Sequence, residues 1–325
     1  MANYLVTGAA GFIAARVINK LVGAGHQVYG IDNLSHAYDV RMKEYRLAKL
    51  SELPGFQFQK IDIVPKENIN LIKEFAPKID AVVNLAAVAG VRSSLSDPWG
   101  YVETNTIGAL NMLEYCRQLG ITKMVMASTS SLYGNLGKPP HDEIASTDYS
   151  LAPYAASKKG AEALCYAYHH LYQMDVTILR YFTVYGPAGR PDMVMFRFCQ
   201  WIAEGREVTI TGDGEQSRGF TYVDDIANGT VLGLKPVGFE IFNLGGHEVI
   251  SINRLLKMFE ERLGKKANVR YIPSHPADVF ENVADVTKAR NKLGWKPEVS
   301  LEEGVTSLVD WYLQEREWVK DIETP

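Results

Sequence analysis

Tyr154 and Lys158 stand four residues apart just after Pro153. In a helix that spacing puts both side chains on one face, with Cβ atoms roughly 6 Å apart. An ammonium beside a phenol favours the phenolate, so the spacing predicts a Tyr154 pKa drawn down from about 10 toward working pH, where the residue serves as a general base. Upstream, the apolar run Lys123–Ala127 ends in Ser128-Thr129-Ser130-Ser131, hydroxyls that could hydrogen-bond a substrate hydroxyl while Tyr154 removes its proton. The chain holds 17 tyrosines, and Tyr45–Lys49 repeats the spacing. That second pair has no hydroxyl run beside it and reads as solvated helix.

A second kind of chemistry is written near the start. The run Tyr4–Thr7 leads into Gly8-Ala9-Ala10-Gly11-Phe12-Ile13-Ala14 and then a helical pattern. Glycines there let a turn pass tightly and let backbone N–H groups approach a pyrophosphate at a helix N-terminus. A plain tight turn between strand and helix has the same pattern, but two carboxylates add to it. Asp32 lies 24 residues after Gly8, at the end of the next strand. There a carboxylate can take both ribose hydroxyls of an adenosine and repel a 2′-phosphate, which favours NAD over NADP. Asp62-Ile63 closes the third strand, within reach of an adenine amino group.

The elements that must position these residues follow from periodicity. Tyr4–Thr7, Gln27–Ile31, Phe56–Ile61, Ala81–Leu85, Lys123–Ala127 and Val176–Tyr181 read as buried strands, separated by amphipathic stretches such as Ile13–Gly23, Asn105–Leu119 and Tyr154–Tyr172. That alternation predicts an α/β fold, a doubly wound parallel Rossmann sheet covered on both faces, whose ligands lie at the strand ends. A chain of 325 residues suits about two domains. Residues 1–182 are expected to form the nucleotide-binding domain, with some later chain, about 220–240, returning to it. Residues 183–325, punctuated by Gly and Pro and carrying helices at Ile252–Leu263 and Leu301–Glu315, are expected to form a smaller α/β substrate lobe.

Composition excludes other classes. Hydrophobic residues make up 46% and charged residues 22%, an ordinary globular mix. A net charge of −4 argues against a nucleic-acid or polybasic membrane surface. The most apolar run, 81–91, is interrupted by Asn84 and falls short of the ~20 residues that span a bilayer. Three scattered cysteines (Cys116, Cys165, Cys199) suit core positions in a reducing compartment, and the N-terminus shows no basic start or cleavage site, so a cytoplasmic protein is expected. His169-His170 are adjacent and so point to different faces, and no Cys or His spacing suits a metal.

From these residues the chain resembles the extended short-chain dehydrogenases/reductases, in their nucleotide-sugar epimerase/dehydratase group. The likeness runs end to end: TGAAGF at Thr7–Phe12, DNL at Asp32–Leu34, NLAA at Asn84–Ala87, STSSLYG at Ser128–Gly134, YAASK at Tyr154–Lys158, GDGEQSRGFTYVDD at Gly212–Asp225 and LGWKP at Leu293–Pro297. The resemblance implies Thr129, Tyr154 and Lys158 as the catalytic set. It places NAD against Gly8, Gly11, Phe12, Ile13, Asp32, Asn33, Asp62, Ile63, Leu85, Ala86, Ala87, Asn105 and Tyr181, with Tyr154 and Lys158. Ala14 replaces a glycine of the family, and Asn84 a common histidine. By the same likeness the helices at Asn105–Leu119 and Tyr154–Tyr172 imply a four-helix homodimer interface, and Leu164, Tyr168, Leu171 and Tyr172 read as core or dimer packing.

The segment Arg180–Met193, with Asp32–Leu34, Tyr38–Val40 and Arg46–Leu50, is similar to stretches of UDP-glucuronate 4-epimerases. This implies a UDP-sugar substrate touched by Arg92, Thr129, Ser130, Ser131, Tyr154, Thr183, Arg190, Arg218 and Asp278. Arg190 would face a sugar carboxylate, for which a guanidinium fork is suited. Arg190 and Arg92 read alternatively as partners in a surface or interdomain ion pair. The activity implied is C4 epimerisation through a 4-keto sugar with tightly held NAD. Dehydratases carry Thr-Asp-Glu where this chain has Thr129-Ser130-Ser131, and decarboxylases usually carry Glu at the Ser131 position. The alternatives left open are a UDP-glucose/UDP-galactose 4-epimerase, a UDP-glucuronate decarboxylase and a non-catalytic NAD sensor.

Overall fold

Six strands alternate with helices in the first half of the chain; the third, expected to be buried, is an edge strand in which only Phe56 is buried. The computed structural model, which describes residues 1–135, 139–273 and 281–324, gives them as β1 (Asn3–Thr7), α1 (Phe12–Gly23), β2 (Gln27–Asp32), α2 (Arg41–Ser51), β3 (Phe56–Lys60), α3 (Asn68–Phe75), β4 (Ala81–Asn84), α4 (Pro98–Val102), α5 (Gly108–Leu119), β5 (Lys123–Thr129), α6 (Pro153–Tyr172) and β6 (Asp175–Tyr181). Then follow β7 (Thr183–Tyr185), α7 (Val194–Ala203), β8 (Glu207–Thr211), β9 (Ser217–Tyr222), α8 (Val223–Leu232), β10 (Phe239–Leu244), β11 (Val249–Ser251), α9 (Ile252–Leu263), β12 (Asn268–Ile272), β13 (Glu281–Asn282), α10 (Thr287–Leu293), α11 (Leu301–Gln314) and α12 (Arg316–Val319).

The main sheet has the order β10-β6-β5-β4-β1-β2-β3, and every pairing in it is parallel. Its central strands β4, β5 and β6 are buried almost throughout because helices cover both faces, whereas edge strand β3 (FQFQK) alternates apolar and polar residues. The order reverses between β1 and β4, which opens a crevice at their C-terminal ends, where doubly wound sheets take ligands. Three turns of chain converge there: the loops after β1, β4 and β5.

The chain after β6 leaves the sheet and comes back. β10 pairs with β6 along its length, from Phe239 opposite Val176 to Leu244 opposite Tyr181. The LGWKP run staples this returning segment: the buried Trp295 donates from Nε1 to the Asp225 carbonyl at 2.8 Å, and the Asp225 carboxylate accepts from the N–H groups of Glu298 and Val299. Outside the main sheet, β7, β9, β11 and β13 pair together and β8 pairs with β12. A second apolar core fills the space between them and α7, α9 and α11, with Phe196, Phe198, Phe259 and Tyr312 fully buried. α11 starts on a capping box, Ser300 with Glu303, which closes the exposed N–H groups of its first turn. Among the described residues no helix is long and apolar enough to cross a membrane.

Candidate active site

The glycine loop is shaped by backbone contacts. Gly8 has φ +67°, and a Cβ there would lie 2.9 Å from Cα and N of Ala86; a Cβ on Gly11 would lie 2.7 Å from the Gly8 carbonyl oxygen. Any larger residue would push this turn off β4. Gly11 stands at the N-cap of α1 with no side-chain cap, so the first-turn N–H groups face the crevice as a site for an anion. These features fit a dinucleotide pyrophosphate.

At the end of β2 the buried Asp32 carboxylate accepts from Ala10 N–H (3.2 Å) and Leu34 N–H (2.8 Å), with Lys43 Nζ 3.7 Å away. Asn33 donates to Asp62 Oδ2 at 2.9 Å, and Asp62 Oδ1 accepts from Val64 N–H, so the two expected adenosine carboxylates share one rim. Ile63 is buried against Gly108. Leu85, Ala86 and Ala87 leave β4 beside the glycine turn, and Ala86 N–H donates to Thr7 Oγ1 at 3.0 Å. Thr7 in turn donates to Asn84, at 2.5 Å, so the asparagine in place of histidine anchors the turn. Phe12 packs under Arg46, and Ile13 is half-buried.

Across the crevice, β5 runs on to Thr129, two residues past the expected strand end, because its C-terminus still pairs with Tyr181 of β6. The Thr129 hydroxyl accepts from Ser131 N–H (3.1 Å) and lies beside the Tyr154 hydroxyl. The Tyr154 ring meets Tyr101 edge to face, centroids 5.9 Å apart. Lys158, one turn further along α6, is 3% exposed, and burial pushes its ammonium down to about 8 against the opposing pull of Cys165 and Glu162. One expectation is corrected here: the Tyr154 pKa is raised, not lowered. Burial outweighs the neighbouring Thr129 hydroxyl, and the positive charge that acts on it is that of Arg190 rather than Lys158. Tyr45 is also corrected, since it is packed against Trp311 and Trp318 and donates to Glu315 instead of standing in solvent.

The remaining candidates divide. Ser130 and Ser131 line a cleft with Gly134, Ala152 and Asn282. Arg190 joins the Tyr154 neighbourhood, but its fork grips Asp192 and the Ala89 carbonyl. Thr183 is half-buried at the start of β7. Arg218 lies on β9 and donates to the Ser217 carbonyl at 2.7 Å. Arg92 is exposed and reaches Thr211 Oγ1 at 3.5 Å. The Tyr181 hydroxyl is tied to Thr230, and Asn105 spends both amide hydrogens on the Val88 carbonyl and Ser157. Asp278 lies outside the described residues.

Two groups escaped sequence reasoning. Arg46 is buried and donates to the carbonyls of Ala10, Ala188 and Gly189 and to the Tyr38 hydroxyl, so it clamps the glycine turn to the loop that carries Arg190. The second is a buried network below α6, in which Glu162 accepts from Arg180 and Ser128 while Arg180 and Asn243 meet the Tyr133 hydroxyl. Arg46 lay inside a run noted for its likeness, yet an arginine on a charged helix gives no local sign of burial.

Comparison with known proteins gives the family. The family model for GDP-mannose 4,6 dehydratase matches residues 5–308. The chain is 50% identical over 323 residues to a UDP-glucuronate 4-epimerase of Thermodesulfobacterium geofontis, covering 99% of each. It superposes with TM-score 0.90 and 36% identity on the UDP-glucuronic acid 4-epimerase of Bacillus cereus, solved with UDP-glucuronic acid and NAD, covering 96% of this chain and 99% of that one. The UDP-glucose 4-epimerase of Thermotoga maritima, solved with UDP-glucose, matches with TM-score 0.89 and 34% identity, covering 97% and 99%. With its Rossmann sheet, glycine turn and Thr129–Tyr154–Lys158 set, the chain belongs to the GDP-mannose 4,6 dehydratase family of extended short-chain dehydrogenases/reductases.

Proposed function

We propose that this protein is an NAD-dependent UDP-sugar 4-epimerase whose substrate pair is UDP-glucuronate and UDP-galacturonate. The observation that carries the reading is the placing of the Tyr154 hydroxyl beside the Thr129 hydroxyl at the end of β5, with buried Lys158 one turn away. The chain's relatives named for UDP-glucuronate support the choice of sugar. NAD, when bound, supplies a reversible hydride acceptor. Gly8, Gly11 and the first turn of α1 would hold its pyrophosphate, Asp32 its ribose and Asp62 its adenine.

The chain's own residues supply the proton chemistry. Tyr154 takes the proton of the C4 hydroxyl, and Thr129 orients that hydroxyl by hydrogen bonding. The Arg190 charge favours the phenolate as it forms. A 4-keto glucuronate is a β-keto acid that loses CO2 when its C5–C6 bond stands perpendicular to the carbonyl. Arg190 on the carboxylate and the hydroxyls near Thr129 would hold that bond out of alignment. Ser130 and Ser131 offer no carboxylate for dehydration.

One observation favours a second substrate reading, UDP-glucose/UDP-galactose: the Arg190 fork is already occupied by Asp192. NMR of the protein with UDP-glucuronate, without added reductant, separates the readings. UDP-galacturonate is expected; a UDP-pentose would assign a decarboxylase, and conversion of UDP-galactose alone would assign the neutral-sugar epimerase.

The same reading includes a homodimer in the reducing cytoplasm. Trp99 is 78% exposed and Leu171 64%, and with Val102, Ile107, Tyr166 and Tyr172 they leave an apolar face on α4 to α6 that a second copy would cover. Sedimentation velocity tests it.

A further inference from the structure

The hydroxyl run after Thr129 is met from across the cleft by a side chain of the later part of the chain. Asn282, on β13, donates from Nδ2 to Ser130 Oγ at 2.8 Å, and the two line the same cleft beside Ser131. Ser130 is buried at the end of β5, so its oxygen is held in place. A serine hydroxyl has one proton to give and two lone pairs with which to accept. Asn282 occupies one lone pair, and among the described residues no acceptor takes the proton.

We propose that Asn282 is a positioning residue that fixes Ser130 as an outgoing donor and so selects a sugar bearing a carboxylate at C6 over one bearing a hydroxymethyl. This deepens the UDP-glucuronate reading and rests on it. A carboxylate only accepts hydrogen bonds, and a bond from a hydroxyl to it is roughly twice as strong as one between neutral groups. A hydroxymethyl can donate or accept, so it gains less from a donor held in one direction. β13 also pairs with β9, placing Asn282 in register with Arg218, the nucleotide-side candidate. One short strand thus carries the sugar selector beside the residue expected to meet UDP.

Asn282→Asp keeps the shape and reverses the polarity: its carboxylate takes the Ser130 proton and puts a negative charge on the cleft. Asn282→Ala removes the donor without adding charge. The test measures, on the NAD-loaded enzyme, the KM for UDP-glucuronate and the inhibition constant of UDP-glucose against it. Asn282→Asp is expected to raise the KM about 100-fold and Asn282→Ala about 5-fold, while the UDP-glucose constant moves less than about 3-fold in either. A packing role would weaken both ligands together, and that result overturns the proposal. So does an effect confined to the aspartate variant, which would be simple charge repulsion. The wild type separates the two failures. Absence of UDP-glucuronate turnover sinks the substrate reading and this proposal with it, whereas normal turnover with parallel losses in the variants sinks only the role of Asn282.

Discussion

Arg190 turns its guanidinium fork back onto Asp192, two residues along the same loop, with Nε 3.0 Å from Oδ1 and Nη2 2.5 Å from Oδ2. An arginine in this state has its charge and geometry set before any ligand arrives. A substrate carboxylate must share or exchange that partner. Arg190→Ala is therefore expected to lower kcat/KM for UDP-glucuronate about 100-fold, whereas Asp192→Asn, which removes the internal competitor, changes it less than about 5-fold. Equal losses in the two variants would show that the pair is structural.

The Tyr154–Thr129 contact predicts an ordered loss of chemistry. Tyr154→Phe is expected to lower kcat by about 1,000-fold or more and Thr129→Ala by about 100-fold, with KM nearly unchanged. Both variants should keep their bound NAD, read by absorbance after denaturation. Loss of the nucleotide along with activity would move these residues from catalysis to cofactor binding.

Lys158 should cost stability. Its ammonium titrates near 8 in the fold against 10.5 ordinarily, so between those values the unfolded chain holds the extra proton and stability rises with pH. Below about pH 8 the buried charge is a standing penalty, on the order of 3 kcal/mol. Lys158→Met is expected to be inactive yet to raise the Tm of cofactor-free protein at pH 7, with the gap over wild type shrinking toward pH 10. A lower Tm at pH 7 would contradict the burial cost.

Glu162 and Arg180 are 5% and 3% exposed at their side chains and bind through two parallel bonds of 2.8–2.9 Å. Removing one partner strands a charge below the catalytic helix. Arg180→Met is expected to cost about 3–5 kcal/mol in denaturant unfolding, and adding Glu162→Leu to recover most of it. Failure of the second change to rescue the first would place the cost in the Tyr133 contact instead.

The glycine turn gives a paired test. Gly8→Ala meets Ala86 backbone at 2.9 Å and should yield protein purified without NAD, while Gly25→Ala, also at positive φ but with open space around it, should keep its NAD and lose only the backbone strain, about 1–2 kcal/mol. NAD retained in Gly8→Ala would mean that this turn does not cradle the pyrophosphate.

What was legible in the residues was what local pattern encodes. Strand runs, the glycine turn and the Tyr154–Lys158 spacing all depend on neighbours within a few positions, and the first six strands of the main sheet fall within about two residues of their expected bounds, whereas β10 had no expected bounds. What was not legible depends on residues far apart in sequence. Tyr45 reads as solvated until Trp311 and Trp318 return beside it, and Arg46 as surface until Ala188 and Gly189 fold over it. The rise in the Tyr154 pKa has the same origin, since spacing shows the nearby cation but not the burial that opposes it. Asn282 carried no motif at all; only the pairing of β13 with β9 sets it near Ser130.

The most direct test of C4 epimerisation uses UDP-glucuronate carrying deuterium at C4, incubated with the enzyme in ordinary water. The account predicts slowed formation of UDP-galacturonate that keeps its deuterium at C4, because the hydrogen removed from that carbon is returned to it within the closed site. UDP-galacturonate with solvent hydrogen at C4, or no UDP-galacturonate at all, would contradict it.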